Sequence, residues 1–168
     1  MNATVETSPR PAEPPTLEKQ LLGVAGYVTA LQRGPRAILR RVNADSGGVP
    51  PEEFWRIVER YGITPREEDF WLRVIPLLLE HPHQPGLAPG VALARSGVSP
   101  ARLEKWLRLE RDDAIRETSR LLARSEGGFD WTQFGKLLRF WSEDSRRTLA
   151  RQFFLSPEYR ARTATSGE

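Results

Sequence analysis

Hydrophobic residues recur along this chain three and four positions apart, and no stretch alternates apolar and polar residues as a half-buried strand would. Leu17, Leu21, Val24, Val28 and Leu31 make one seam behind Thr16, whose hydroxyl is placed to cap a helix. Pro35 opens a short second helix holding Ile38, Leu39 and Val42. After the turn "DSGGVP", Phe54, Ile57, Val58 and Tyr61 form the next stripe, stopped by Gly62. "TPRE" at 64–67 reads as a capping box, with Thr64 as cap, Pro65 in the first turn and Glu67 reaching back. The helix behind it carries Phe70, Trp71, Val74, Ile75 and Leu78 and should bend at Pro76, which lacks a backbone donor.

"EHPHQPGLAPG" at 80–90 interrupts the pattern. A short helix follows around 91–96 and ends at Gly97, and Ser99-Pro100 starts another that buries Leu103, Trp106 and Leu107. Ile115, Ser119 and Leu122 line the next, before the "SEGG" turn. Asp130 caps a helix with Phe134, Leu137, Leu138 and Trp141 on one face; Ser142 caps the last, which buries Leu149, Ala150, Phe153 and Phe154. These stripes predict an all-α chain of about nine helices in two packed helical-bundle lobes. The expected boundaries are a disordered arm over 1–15, an N-terminal lobe over 16–80 and a proline-rich linker over 81–87. A C-terminal lobe over 88–155 and a flexible, disordered tail over 156–168 complete the chain. A lobe this small buries only about 60% of its unfolded surface and is marginal alone, so the two should pack firmly on each other.

Composition removes several chemistries. The chain has no cysteine, which excludes a disulfide framework, a thiol nucleophile and Cys-ligated zinc. No apolar run approaches the roughly 20 residues that cross a membrane. The start carries Glu6 and several prolines where a secretory signal needs bases and an apolar stretch, so a cytoplasmic location is expected. His81 and His83 are the two imidazoles, both in the proline-rich turn, where "HPH" reads as a solvated loop without a third metal ligand. There is no phosphate-binding glycine loop, no dinucleotide fingerprint and no serine placed beside a base, so no enzyme activity, cofactor or metal is expected.

Charge alters the picture more. Net charge is only +3, yet the lysines among 25 basic residues are Lys19, Lys105 and Lys136, and the rest are arginine. Arginine suits phosphate, because its planar fork donates two parallel hydrogen bonds and stays charged at any relevant pH. The acids gather at helix starts, in Glu52-Glu53, Glu67-Glu68-Asp69, Asp112-Asp113 and Glu143-Asp144, where they favour the helix dipole. Acids used as caps are not all free to neutralise arginines elsewhere. Between Lys19 and Ala44 there is no acid at all, and Arg33, Arg36, Arg40 and Arg41 lie in that stretch. Arg116, Arg120 and Arg124 recur every four residues, interrupted only by Glu117. Lys136 and Arg139 stand three apart in an acid-free segment, and Arg146, Arg147 and Arg151 occupy another. A solvated helix would interleave acids four residues from its bases. Stripes without such partners predict an extended basic surface for a polyanion, with nucleic acid the leading class. The Trp and Phe residues fall on the apolar faces and are assigned to the core rather than to base stacking.

A rival reading uses "ALARSGVSPARLEKWLRLER" at 92–111 as a helix-turn-helix that regulates by binding duplex DNA. Against it, Leu93 stands where a small residue usually precedes the turn glycine, and the second helix gives Trp106 and Leu107 to a core.

Taken in chain order, "ILRRV", "EEFWRIVERYG", "PGVALARSG", "LRLERDD", "SRLLARSEGGFDWTQFGKLLRFW" and "RRTLARQFFL" resemble the CasB family, small subunits of type I-E CRISPR Cascade complexes, over residues 30–155. The resemblance implies an all-helical, two-lobed subunit that is not an enzyme and needs no cofactor. It implies two copies along the belly of the complex, touching the backbone and large subunits. Their basic surface would hold target DNA and the displaced strand of the R-loop, while the guide RNA reads sequence. Carried onto this chain, the resemblance assigns nucleic-acid contacts to Arg40, Arg41, Arg66, Arg102, Arg108, Arg111, Arg120, Arg146 and Arg147. Two positions depart from the family. Val91 stands where many members have arginine, with Arg95 one turn on as a possible replacement, and Glu143-Asp144 stand where some have bases.

Overall fold

The computed structural model describes residues 13–165. Among them lie ten α-helices and one 3₁₀ turn. The first five are α1 Leu17–Ala30, α2 Arg33–Arg40, then the turn Ala44–Ser46, α3 Glu52–Tyr61, α4 Glu68–Glu80 and α5 Pro89–Arg95. They are followed by α6 Pro100–Leu107, α7 Arg111–Leu122, α8 Trp131–Arg139, α9 Glu143–Phe154 and α10 Pro157–Thr165. The fold is all-α, as the periodicity predicts. Four expected caps are made: Thr16, Ser99, Asp130 and Ser142 accept from the amides of Lys19, Arg102, Thr132 and Ser145. The "TPRE" box closes one turn early. Thr64 donates its amide and hydroxyl to Glu67 at 3.0 and 2.9 Å, and α4 begins behind Glu67. Pro76 lies within α4 and does not end it.

One cluster of buried apolar side chains draws on every helix from α1 to α9, with Trp71, Trp131, Phe54, Phe134 and Phe153 at its centre. Helices α1 and α2 pack on α4, α1 on α8, α4 on α7, and α5 on α9. The α5–α9 contact is the closest. A Cβ at Gly90 would stand 2.6 Å from the Leu149 carbonyl oxygen and 2.8 Å from the Phe153 nitrogen, so only glycine lets these backbones meet.

The segment 81–87, expected as a linker with a solvated "HPH", is instead clasped by 127–131. Gln84 donates its amide to the Phe129 carbonyl, and Asp130 donates its own to that of Leu87. The Trp131 indole donates to the His81 carbonyl at 2.6 Å, and the Trp131 amide donates to His83 Nδ1 at 3.0 Å. His81 is buried, with Nδ1 3.2 Å from the Gly127 carbonyl. A proline-rich segment still carries carbonyls and amides that need partners, and the second loop supplies them.

Other departures have equally local causes. Residues 157–165 of the expected tail form α10. Ser156 accepts from the Tyr159 amide, Pro157 fits the first position, and Tyr159 packs 5.2 Å from the rings of both Phe153 and Phe154. Tyr159 is its one aromatic anchor, too little for an apolar stripe. Ile38 is 47% exposed on α2 while Leu39 is buried, and on α7 it is Thr118 rather than Ser119 that turns inward, donating to the Ala114 carbonyl. Residues 1–12 of the expected arm and 166–168 of the expected tail lie outside the described residues.

Candidate nucleic-acid interface

Helix α2 offers its bases without competition. Leu39 is its buried residue, and Arg33, Arg36 and Arg40 lie three and four apart on the remaining surface, followed by Arg41 at the C-cap. Among the described residues none of the four forms an ion pair, as the acid-free stretch predicts. Arg66, exposed on the turn before α4, and Arg108, exposed at the end of α6, have no acidic partner among them either.

Elsewhere the expectation of unpaired stripes is corrected in part: Arg116, Arg120, Lys136 and Arg147 have acidic partners, while Arg124, Arg139, Arg146 and Arg151 form no ion pair among the described residues. An acid, in the first turn at Asp113 and Glu143 and in mid-helix at Glu117, faces the base three or four residues later on the same helix. Thus Asp113 takes Arg116 at 3.2 Å, Glu117 takes Arg120 at 2.7 Å, and Glu143 takes Arg147. At Asp113 and Glu143 one acid both sits in the first turn and pairs with a base. Lys136 meets Glu18 of α1, 118 residues away, a partner that the α8 sequence does not reveal. These pairs are exposed, so they orient the bases more than they neutralise them, because water screens the attraction.

Two clefts join the bases into a band. The first, about 250 Å³, lies between α2, α4 and α7 and is lined by Arg40, Arg73 and Arg116, with Asp45 and Glu80. The second, about 570 Å³, runs between α6 and α7. Arg102, Lys105, Arg116 and Arg120 form its walls together with Asp113 and Glu117, and Trp106, Leu109 and Leu121 are its apolar lining. Arg116 lines both, so the two clefts adjoin there and the bases run from α2 across α7 to α6. Arg102 is fixed there by donating to the Arg120 carbonyl at 2.7 Å, which ties α6 to α7.

An aromatic step continues the band. Trp106 donates its indole N–H to the Ala114 carbonyl, and its ring lies 4.8 Å from that of Trp141. Trp141 in turn donates to the Leu109 carbonyl, and the Arg146 guanidinium stands 5.7 Å from the Trp141 ring. Cation–π attraction holds that arginine in place. Arg139 lies 5.6 Å from the exposed Phe140 ring. Arg111 is half-buried, with Asp112 at a loose 3.9 Å.

Sequence reasoning passes over Arg73 and Lys105 as site residues. Arg73 carries the same sign as its neighbours, an acid four residues ahead at Asp69, but its place in a cleft follows only from the packing of α2 and α7 beside α4. Of the two family departures, Val91 lies half-buried on α5, where Arg95 one turn on is paired at 2.7 Å with Glu158 of α10, and Glu143 of the second pairs with Arg147. The carboxyls that titrate abnormally all shift toward the charged form. Asp45 is lowered by the Arg73 hydrogen bond, and Glu158 by that of Arg95. At Asp130 burial pushes upward, but the Thr132 hydroxyl and amide, the Gly86 amide and the Gln133 side chain outweigh it. A general acid at neutral pH needs the opposite shift. No three His, Asp or Glu side chains gather into a metal-binding group among the described residues, and no helix there is long and apolar enough to cross a membrane.

Three comparisons bear on this arrangement. The family model described as CRISPR-associated protein Cse2 matches residues 35–154. The Cascade subunit CasB of the CRISPR system of Escherichia coli strain K12 is 27% identical over 139 residues, which cover 75% of this chain and 87% of that protein. A chain in the crystal structure of E. coli Cascade bound to a PAM-containing dsDNA target is similar with a TM-score of 0.69 at 27% identity. The match covers 84% of this chain and 97% of that one.

Proposed function

The chain belongs to the CRISPR-associated Cse2 family, and on that premise we propose that it is a non-catalytic subunit of a Cascade complex. In it the band from α2 across α7 to α6 holds target and displaced DNA strands along the R-loop. The guide RNA supplies sequence recognition by base pairing, and the protein contributes contacts to the strand backbone. The partners are the guide-RNA complex, its backbone and large subunits, and a second copy of this chain, all in the cytoplasm.

The observation that carries this reading is the continuity of the band. Arg40, Arg116, Arg102, Lys105 and Arg120, on α2, α7 and α6, line two clefts that share Arg116. Such spacing follows a strand rather than a compact ligand.

Binding of labelled oligonucleotides of several unrelated sequences tests it. With about five phosphates engaged, raising salt from about 50 to about 200 mM should weaken binding on the order of a hundredfold. Arg40→Ala with Arg41→Ala should weaken every sequence alike and make the salt slope shallower. A flat salt response, or no binding at low salt, refutes the reading. A preference of about a thousandfold for one duplex sequence would support the helix-turn-helix alternative at 92–111 instead.

A further inference from the structure

The cleft between α2, α4 and α7 contains an acid where an anion-binding site would contain an anion. Asp45 lies on the 3₁₀ turn Ala44–Ser46, which joins α2 to α3, and its Oδ1 accepts from Arg73 Nη2 at 2.8 Å. The same oxygen is 3.5 Å from Arg116 Nε. Each arginine is held from its other side by an acid on its own helix: Arg73 by Asp69 at 3.2 Å and Arg116 by Asp113 at 3.2 Å. Each guanidinium therefore has a second carboxylate partner, on its own helix, besides Asp45.

We propose that Arg40, Arg73 and Arg116 form a binding site for one phosphodiester of a nucleic-acid strand, and that Asp45 is a built-in competitor which occupies the site until a strand displaces it. The proposal rests on the nucleic-acid reading above. It adds Arg73 to the interface and makes the turn an inhibitory latch.

Three features support it. The site gathers donors that suit phosphate, the guanidiniums of Arg40, Arg73 and Arg116 around about 250 Å³. Asp45 and Glu80 are in the lining, and Asp69 and Asp113 are paired to Arg73 and Arg116 along their own helices. The latch can leave without disturbing the core, because no residue of the turn is buried and Gly47 and Gly48 follow it. Its own hydrogen bonds are local: Asn43 accepts from the Asp45 amide, and the Ser46 hydroxyl donates to the Asn43 carbonyl. The competitor is also charged at neutral pH, since the Arg73 hydrogen bond holds its carboxyl below the usual range. An exposed carboxylate pairs weakly, so a phosphate with more charge and more acceptor oxygens can replace it.

The test is anisotropy titration of the full chain with a labelled mixed-sequence DNA single strand and the matching RNA strand. The variants are Asp45→Asn, Arg73→Gln, Arg116→Gln and the two Asp45→Asn doubles. Asp45→Asn keeps the side-chain shape and should tighten binding roughly 3- to 10-fold, while steepening the salt slope by about 0.7, as one added phosphate contact requires. The gain should vanish when Arg73 or Arg116 is also replaced. An equal gain in those backgrounds would mean that the acid acts only through net charge, and would overturn the latch. So would an affinity unchanged or weakened by Asp45→Asn while the wild type binds with strong salt dependence; in both cases the nucleic-acid reading stands. Failure of the wild type to bind either strand would remove that reading and the latch with it. Arg116 is exposed, so its variant keeps the test decisive if Arg73→Gln unfolds the chain.

Discussion

Trp141→Ala should separate what the aromatic step does for stability from what it does for binding. The indole is half-buried, and three contacts disappear with it. About half of a Trp surface of roughly 200 Å², at about 25 cal/mol per Å², is roughly 2.5 kcal/mol. The ring contact with Trp106 at 4.8 Å adds about 1 kcal/mol, and the hydrogen bond to the Leu109 carbonyl at 2.9 Å about 1 more. The loss should be about 4.5 kcal/mol, on the order of 10 °C in melting temperature for a chain of this size. Trp141→Phe keeps most of the apolar area and loses the hydrogen bond, so it should cost about 1 kcal/mol. Both variants remove the indole under Arg146, leaving it with the weaker phenyl face or none. Thermal melts and binding isotherms on the same samples read both effects. Well below the melting transition, binding should weaken no more than with Arg146→Ala. A Trp141→Ala protein that melts within about 2 °C of wild type would refute the packing account. If that stable variant also lost binding beyond the Arg146→Ala level, the indole would be stacking on bases.

Two further outcomes test the clasp. A Cβ on Gly128 would lie 1.7 Å from the Pro82 carbonyl oxygen, so Gly128→Ala should cost about 3 kcal/mol or more, read by denaturant unfolding; an unchanged midpoint would mean that the two loops are not in contact. Asp130 caps α8 and binds the Gly86 amide, and its folded pKa is depressed, so its contribution is present above the unfolded carboxyl value near 4 and is lost as pH falls through the folded value. Asp130→Ala should cost about 1–2 kcal/mol at pH 7, and the gap to wild type should close in acid; a gap constant from pH 7 to about pH 2 would refute the assignment.

The helices and most of their caps were legible because their causes lie within four residues. An apolar stripe and a Ser, Thr or Asp before it are both local, and local geometry turns them into α1, α6 or α8 whatever the rest of the chain does. Family membership was legible for a related reason: the ordered segments preserve those stripes. The bare bases of α2 could also be read directly, since no acid lies within reach along the chain. The failures share an opposite cause. Helix α10 has no stripe of its own and depends on Phe153, Phe154 and Glu158's partner Arg95 being brought to it. The histidine turn reads as solvent-exposed until the 127–131 loop folds over it, and Lys136 reads as unpaired until α1 places Glu18 beside it. The grouping of Arg40, Arg73 and Arg116 around Asp45 was decided by tertiary structure alone. Sequence determines each helix and the charge on its outer face, but the distance between charges on different helices is set by how the shared core packs those helices together, and electrostatics depends on that distance.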